Sequence, residues 1–149
     1  MNWAASFDDL ATGEEFITRA RTVTEADVVG FAALTGDWHP QHSDAEWAAR
    51  SAFGERIAHG MLVVSFAVGL VDFDPERVVA LRRVRDVVFK RPVRLGDTIH
   101  VKGTEAERRE VDSETALVTW SWRILNQDGE LVCRAAVEAL CREPAEVAA

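Results

Sequence analysis

The sequence predicts an α+β fold in which one antiparallel sheet wraps a single buried helix. An apolar run from Met61 to Val71 is broken only by Ser65 and Gly69, and a helix that is apolar on all sides must be buried on most of them. Four long segments after residue 77 have the alternation or β-branched composition of strands. Because helices precede a run of strands, the pattern is typical of α+β layers.

Length and composition limit the class of protein. The chain has 149 residues, of which 48% are hydrophobic, and this suits one domain, here taken as residues 1–149. A net charge of −8 argues against a nucleic-acid partner. The first residues lack the basic and apolar regions of a signal peptide, and the run at 61–71 is too short to span a bilayer. We therefore expect a cytoplasmic protein with no membrane partner.

The two cysteines are expected to be reduced. Cys133 and Cys141 fall within one predicted strand, which places them roughly 26 Å apart along it. That separation is too large for a disulfide bond. Buried free thiols agree with a cytoplasmic location.

The N-terminal half contains a strand and two helices before the apolar run. Residues 15–23 alternate loosely and predict one strand. Thr24 is the expected N-cap of a helix that ends at Gly36. Ser43 or Asp44 can cap a second, short helix that ends at Gly54, and Trp47 and Phe53 are expected to face inward.

The C-terminal half reads as four antiparallel strands. We expect them at residues 78–93, 98–109, 116–125 and 131–140. A polar turn at 126–129 marks a hairpin between the last two. In the third strand alternate residues from Ala116 to Ile124, two of them tryptophans, share one face.

A polar loop carries the first candidate chemistry. The segment GDWHPQH, residues 36–42, contains Asp37, His39 and His42. Pro40 prevents a continuous helix, so Asp37 and His42 can converge from a loop. A carboxylate and an imidazole that face one volume can activate water and donate a proton. The alternative is a surface loop in which the aspartate caps a turn.

A metal site is a second interpretation of the same loop. Asp37, His39, His42 and Asp44 offer suitable ligand atoms, but their spacing is not that of helical zinc-binding histidine pairs. We therefore expect no metal.

His59 and Gly60 begin the apolar helix. A glycine at a helix start leaves its N–H open, and the helix dipole favours negative charge there, as in an oxyanion site. Alternatively, Gly60 permits close packing and His59 is a polar cap. Ser65 is expected to hydrogen-bond within the helix. Six basic residues follow between 82 and 94, and they can be solvated strand positions or can bind phosphates.

Two segments resemble a known family. Residues 31–70, FAALTGDWHPQHSDAEWAARSAFGERIAHGMLVVSFAVGL, resemble the signature of the MaoC-like dehydratases, also called (R)-specific enoyl-CoA hydratases. That family has a G-D-x-N-P-x-H loop followed by an H-G-M-L-x-x-S helix. Residues 90–103, KRPVRLGDTIHVKG, resemble its K-P-V-x-x-G-D-T-L segment. The resemblance spans about residues 15–140.

The resemblance implies a hot-dog fold, an antiparallel sheet around a central helix, and a homodimer or larger homo-oligomer. It implies that Asp37 and His42 are the catalytic pair and that the Gly60 amide polarises a thioester carbonyl. The acyl part of the substrate would contact Trp38, His39, His59, Met61 and Ser65, and the phosphates of its carrier would contact Lys90 and Arg91.

The implied reaction is hydration of a trans-2-enoyl thioester to the (R)-3-hydroxyacyl thioester, or the reverse. Asp37 would act as base and His42 as acid. Coenzyme A or phosphopantetheine would enter only as part of the substrate, with no other cofactor. The alternatives are a non-catalytic acyl-thioester-binding subunit of a hetero-oligomer and a hot-dog thioesterase. Two departures leave the substrate class open: His39 replaces an asparagine, and Val68 stands where some members have serine.

Overall fold

A computed structural model describes Gly13 and residues 15–142. The described helices are α1 (Glu25–Thr35), α2 (Pro40–Ser43), α3 (Ala45–Ala49) and α4 (Gly60–Leu70). The described strands are β1 (Glu15–Ile17), β2 (Arg21–Thr22), β3 (Val78–Phe89), β4 (Thr98–Glu110), β5 (Thr115–Leu125) and β6 (Leu131–Arg142). They form one antiparallel sheet in the order β1-β4-β5-β6-β3, with β2 also paired to β4. The predicted α+β class is confirmed.

The core lies between α4 and the sheet. Leu62 and Ala67 of α4 belong to one buried cluster with Trp120 and Trp122 of β5. The predicted inward face of β5 is confirmed, since its alternate residues from Ala116 to Ile124 are all buried. Both cysteines are buried and neither forms a disulfide bond, as expected. Burial raises the pKa of the Cys133 thiol to about 11, which leaves it unreactive at neutral pH.

One side of α4 is not covered. Met61, Ser65 and Gly69 are exposed, and their spacing of four residues places them on one stripe of the helix. The expectation that α4 is enclosed on most sides is therefore wrong for this stripe within a single chain, because the sheet covers only the opposite side.

The predicted strand at 15–23 is broken in two. The interruption lies at Thr18, whose hydroxyl accepts a hydrogen bond from Val101 N–H at 3.0 Å. A side-chain oxygen thus takes the place of a backbone carbonyl in the ladder, and the chain resumes pairing with β4 at Arg21.

The polar loop is partly helical. Pro40 occupies the first position of α2, where a missing N–H has no cost. Asp44, and not Ser43, caps α3 through Trp47 N–H at 2.9 Å. This helix ends at Ala49 and not at Gly54, and Trp47 and Phe53 are 38% and 41% exposed, so neither belongs to the buried core as expected.

Two local features position the site. The Thr24 capping box of α1 is confirmed, with Asp27 as its reciprocal partner, and α1 ends at Gly36 in the left-handed conformation. In β3, Asp86 has φ 54° and the register with β6 shifts between Arg85 and Val88. This bulge inserts one residue, so the alternation of faces reverses before Phe89.

Within the described residues, no helix is long and apolar enough to cross a bilayer.

Candidate active site

A cleft of about 550 Å³ lies between the start of α4, the loop after α1 and the end of β3. Seven of the predicted site residues line it: Asp37, His42, His59, Gly60, Met61, Lys90 and Arg91. Apolar side chains from α1, β3 and β6 form much of the remaining wall, and this suits a site for an organic substrate with few polar anchor points.

Three predicted substrate contacts are not among the lining residues. Trp38 is half exposed to solvent. The His39 Nδ1 atom accepts a hydrogen bond from Gln41 N–H, and its ring meets Trp47 edge-on at 5.5 Å. The Ser65 hydroxyl donates to Met61 O at 2.7 Å, which confirms the expected bond within the helix. Ser65 lies on the exposed stripe and does not line the cleft.

Val68 does not belong to the cleft either. It packs against the core cluster, and its position is roughly 12 Å along the helix axis from Gly60. The presence of valine instead of serine at position 68 therefore does not change the polar groups that line the cleft of this chain.

Asp37 follows the left-handed turn at Gly36 that ends α1. Its side chain is 51% exposed, and its Oδ1 accepts a long hydrogen bond from His39 N–H at 3.3 Å. The carboxylate therefore has free acceptor positions directed at solvent and the cleft.

His42 has a defined tautomer. Its Nδ1 lies 2.7 Å from Ile57 O, and a carbonyl can only accept, so Nδ1 carries the proton. The neutral ring then presents a lone pair at Nε2. Burial is the main cause that lowers the pKa of His42 below its usual 6.5, so the ring is neutral at neutral pH.

His59 is buried behind His42. It is 2% exposed, and the two rings stack with centroids 3.9 Å apart and an interplanar angle of 27°. Its Nε2 lies 2.9 Å from Asp37 O. His59 thus contacts the backbone of one candidate catalytic residue and the ring of the other.

Gly60 is the first residue of α4, and its N–H is one of the orphan donors of a helix start. The side chain of His59 does not cap this helix, and no acceptor for Gly60 N–H is found among the described residues. A Cβ at Gly60 would lie 2.6 Å from Phe89 Cζ. Glycine therefore permits both an open amide and the close approach of the Phe89 ring.

Asp37, His42 and His59 each offer an atom within 4.8 Å of the others. The structure thus brings His59, and not His39 or Asp44, to the set considered for metal binding. Because the rings of His42 and His59 are stacked 3.9 Å apart, their in-plane lone pairs lie in two separate planes and do not converge on one ion at about 2.1 Å. The arrangement fits hydrogen bonding better than chelation.

The basic residues near the cleft differ in their partners. Arg91 lies 3.4 Å from Glu130, Arg94 2.9 Å from Glu55, and Arg82 3.5 Å from Glu138. Lys90 is exposed at the cleft and has no ion-pair partner within the described part of the chain. Lys90 is therefore the cation most available to an anionic ligand.

Sequence reasoning missed the apolar wall of the site. Phe31, Phe53, Phe89 and Val132 line the cleft but come from four separate parts of the chain. Phe89 directly precedes the KRPV segment, and this position next to a family motif was the one feature of the sequence that could have indicated a site residue in the apolar wall.

Comparison with known proteins identifies the family. A profile described as "MaoC like domain" matches residues 8–124. "Protein MaoC" of Klebsiella aerogenes is 43% identical over 99 residues, which are 66% of this chain and 30% of that protein. An "(R)-specific enoyl-CoA hydratase" of Aeromonas caviae is 34% identical over 106 residues, 71% of this chain and 77% of that one.

A solved structure extends the match to nearly the whole fold. It is described as a monoamine oxidase regulatory protein from Archaeoglobus fulgius, with 39% identity, a TM-score of 0.86, and coverage of 95% of this chain and 96% of that one. Solved structures that match the chain include hot-dog folds. The chain spans less than a third of Klebsiella MaoC. It belongs to the MaoC-like dehydratase family and has the hot-dog fold.

Proposed function

We propose that this protein adds water to a trans-2-enoyl thioester to form the (R)-3-hydroxyacyl thioester, and that it catalyses the reverse dehydration. The observation that carries the proposal is the meeting, in one cleft, of the Asp37 carboxylate, the Nε2 lone pair of His42 and the open N–H of Gly60. The Aeromonas relative, named an (R)-specific enoyl-CoA hydratase, supports the reaction class and stereochemistry.

The two acceptors suit one shared water molecule. Atoms of Asp37 and His42 lie within 4.8 Å of each other, and two hydrogen bonds of about 2.8 Å from one water span roughly 4.5 Å. A water held in this way donates both protons to the protein, which leaves an oxygen lone pair for attack on C3.

The tautomer of His42 revises the expected division of roles. Because Nδ1–H is used by Ile57 O, His42 begins as a base at Nε2. It takes one water proton while the oxygen bonds to C3, and the electrons of the double bond move to the thioester oxygen. That oxygen accepts from Gly60 N–H at the positive end of α4. His42 then returns its proton to C2, and Asp37 holds the water and stabilises the imidazolium.

The proposal is tested with crotonyl-CoA and the purified protein. Hydration is expected to remove the enoyl-thioester absorbance without release of free thiol, and chiral chromatography should give the (R) product. Release of thiol would instead identify a thioesterase. Absence of both changes with coenzyme A and carrier-protein thioesters of several chain lengths would contradict the enzyme assignment and support a non-catalytic binding subunit.

We expect Lys90 to contact the phosphates of the thioester carrier. Lys90→Ala should raise KM for crotonyl-CoA about two- to five-fold, the effect of one exposed charge pair, with kcat unchanged. KM for a crotonyl thioester of N-acetylcysteamine, which has no phosphate, should not change. Arg109→Ala removes the same charge outside the cleft and is the control. An equal rise in KM for both substrates would contradict this role.

We also propose that the protein is a homodimer. β3 is a twelve-residue edge strand with Val79 and Leu81 46% and 50% exposed, and the stripe of α4 around Met61 is uncovered as well. A long edge strand that exposes apolar side chains is a template for pairing with a second chain.

Leu81→Arg is therefore expected to shift the molar mass from dimer to monomer in light scattering after gel filtration. Val111→Arg, at a similarly exposed residue outside this edge, should remain dimeric. A dimeric Leu81→Arg variant would argue that β3 is not the interface.

A further inference from the structure

We propose that His59 positions the catalytic pair by holding the Asp37 backbone with one ring edge and supporting the His42 ring with one ring face. This role rests on the proposed hydration, in which Asp37 and His42 act together on one water. His59 itself would act through these two residues, since its ring is buried behind them.

The first contact fixes Asp37. The His59 Nε2 atom lies 2.9 Å from Asp37 O, and because the carbonyl can only accept, Nε2 carries the proton. This bond joins residues 22 positions apart in the chain. It crosses from the start of α4 to the loop after α1, where the half-exposed Asp37 carboxylate has two longer contacts, 3.3 Å to His39 N–H and 4.0 Å to the same His59 Nε2. Asp37 N–H also donates to the Thr35 hydroxyl at 3.3 Å, but the bond from buried His59 is the shorter of the two and the one that ties Asp37 to α4.

The second contact fixes His42. The stacked rings are 3.9 Å apart, and Phe31 packs on His59 with ring centroids 5.0 Å apart. Phe31, His59 and His42 therefore form a row of contacting rings, in which Phe31 is tilted by 56° against His59 and His59 is stacked on His42. Together with the Nδ1–H bond to Ile57 O, this row of rings sets the direction of the His42 Nε2 lone pair. The charged or titratable groups that face His42 are His59, Asp37 and His39.

The two rings hold opposite tautomers. His42 carries its proton on Nδ1 and His59 on Nε2, while His59 Nδ1 is buried without a hydrogen-bond partner in the described part of the chain. A polar atom buried without a partner carries a desolvation cost, and it persists here because the same ring supplies two contacts to the site. The side chain of His59 does not cap α4, so helix capping does not account for the burial of this ring.

Two substitutions separate the two contacts. His59→Phe keeps a ring for stacking but removes the donor to Asp37 O. His59→Gln removes the ring but can place an amide N–H near the position of Nε2. His100→Phe is the matched control, since His100 lies in β4 and does not line the cleft.

We expect His59→Phe to lower kcat for crotonyl-CoA by about ten-fold or more, within the range attributed to a misplaced catalytic group, while KM changes by less than about two-fold. His59→Gln should recover part of the lost kcat, and His100→Phe should match the unmodified protein. Wild-type kcat in His59→Phe would overturn the proposal. The proposal would also be overturned if His59→Gln showed the same fall in kcat as His59→Phe while circular dichroism showed that both variants are folded.

A spectroscopic measurement tests the positioning role of His59 independently of the proposed reaction. Nitrogen-15 shifts of the imidazoles at neutral pH should show His59 protonated at Nε2 and His42 at Nδ1. This pattern is expected whether or not any enoyl thioester is hydrated. If His59 is instead protonated at Nδ1, the contact to Asp37 is absent and the positioning role is wrong, even in an active hydratase.

Discussion

Asp37→Asn is expected to lower kcat for enoyl-thioester hydration by about 10²–10⁴-fold, the usual contribution of a positioned acid–base group. The amide has almost the same shape as the carboxylate, but it carries no charge to stabilise the His42 imidazolium formed during proton transfer. Asp37 contributes little to packing, since its side chain is 51% exposed. Thermal unfolding should therefore change little, and the loss of rate can be assigned to chemistry.

The chain contains a matched control for this substitution. Asp44→Asn makes the same chemical change seven positions later, and Asn caps a helix about as well as Asp does at the start of α3. We expect it to retain kcat. A double variant that also carries His42→Gln should be no slower than the slower single variant, because the two groups act on one water. Full turnover by Asp37→Asn would remove Asp37 from the proposed mechanism.

Gly60→Pro is expected to lower kcat by about 10²–10³-fold because it removes the one N–H that would stabilise the thioester oxyanion. The backbone can accept this change. Gly60 is the first residue of α4, where proline is favoured. His59 has φ −59° and ψ 136°, the extended conformation that residues before proline adopt. The helix therefore keeps its other hydrogen bonds while one donor is lost.

The added carbon atoms require a background without Phe89, whose ring would lie 2.6 Å from a new Cβ. In Phe89→Ala protein, Gly60→Ala adds a Cβ and keeps the N–H, whereas Gly60→Pro adds Cβ, Cγ and Cδ and replaces the amide hydrogen by Cδ. The two variants share the Cβ, so their difference in kcat reports the exchange of the N–H donor for the proline ring carbons. Equal kcat values would show that Gly60 N–H does not stabilise the transition state, whatever the effect of the shared Cβ.

Local patterning was sufficient for much of the fold. The alternation in β4, β5 and β6 predicted strands that agree with the observed bounds within one or two residues at most ends. The capping box at Thr24 and the turn at Gly36 were readable because each depends on contacts within four residues. Features that depend on distant partners were not readable. The break at Thr18 requires Val101, and the exposed stripe of α4 depends on how far the sheet extends.

The candidate site shows the same contrast between features that depend on local sequence and features that depend on distant partners. The sequence by itself determined which groups were available, namely the carboxylate of Asp37, the imidazole of His42 and an open amide at Gly60, because residue type and spacing decide this chemistry. Only the tertiary structure decided how they are held. Locally, His59 could be a helix cap, but packing against Phe31 and His42 turns its ring toward Asp37, 22 residues earlier. The bulge at Asp86 likewise brings Phe89 onto Gly60. Such contacts arise from the pairing of distant segments, and no local pattern encodes the direction in which a buried ring points.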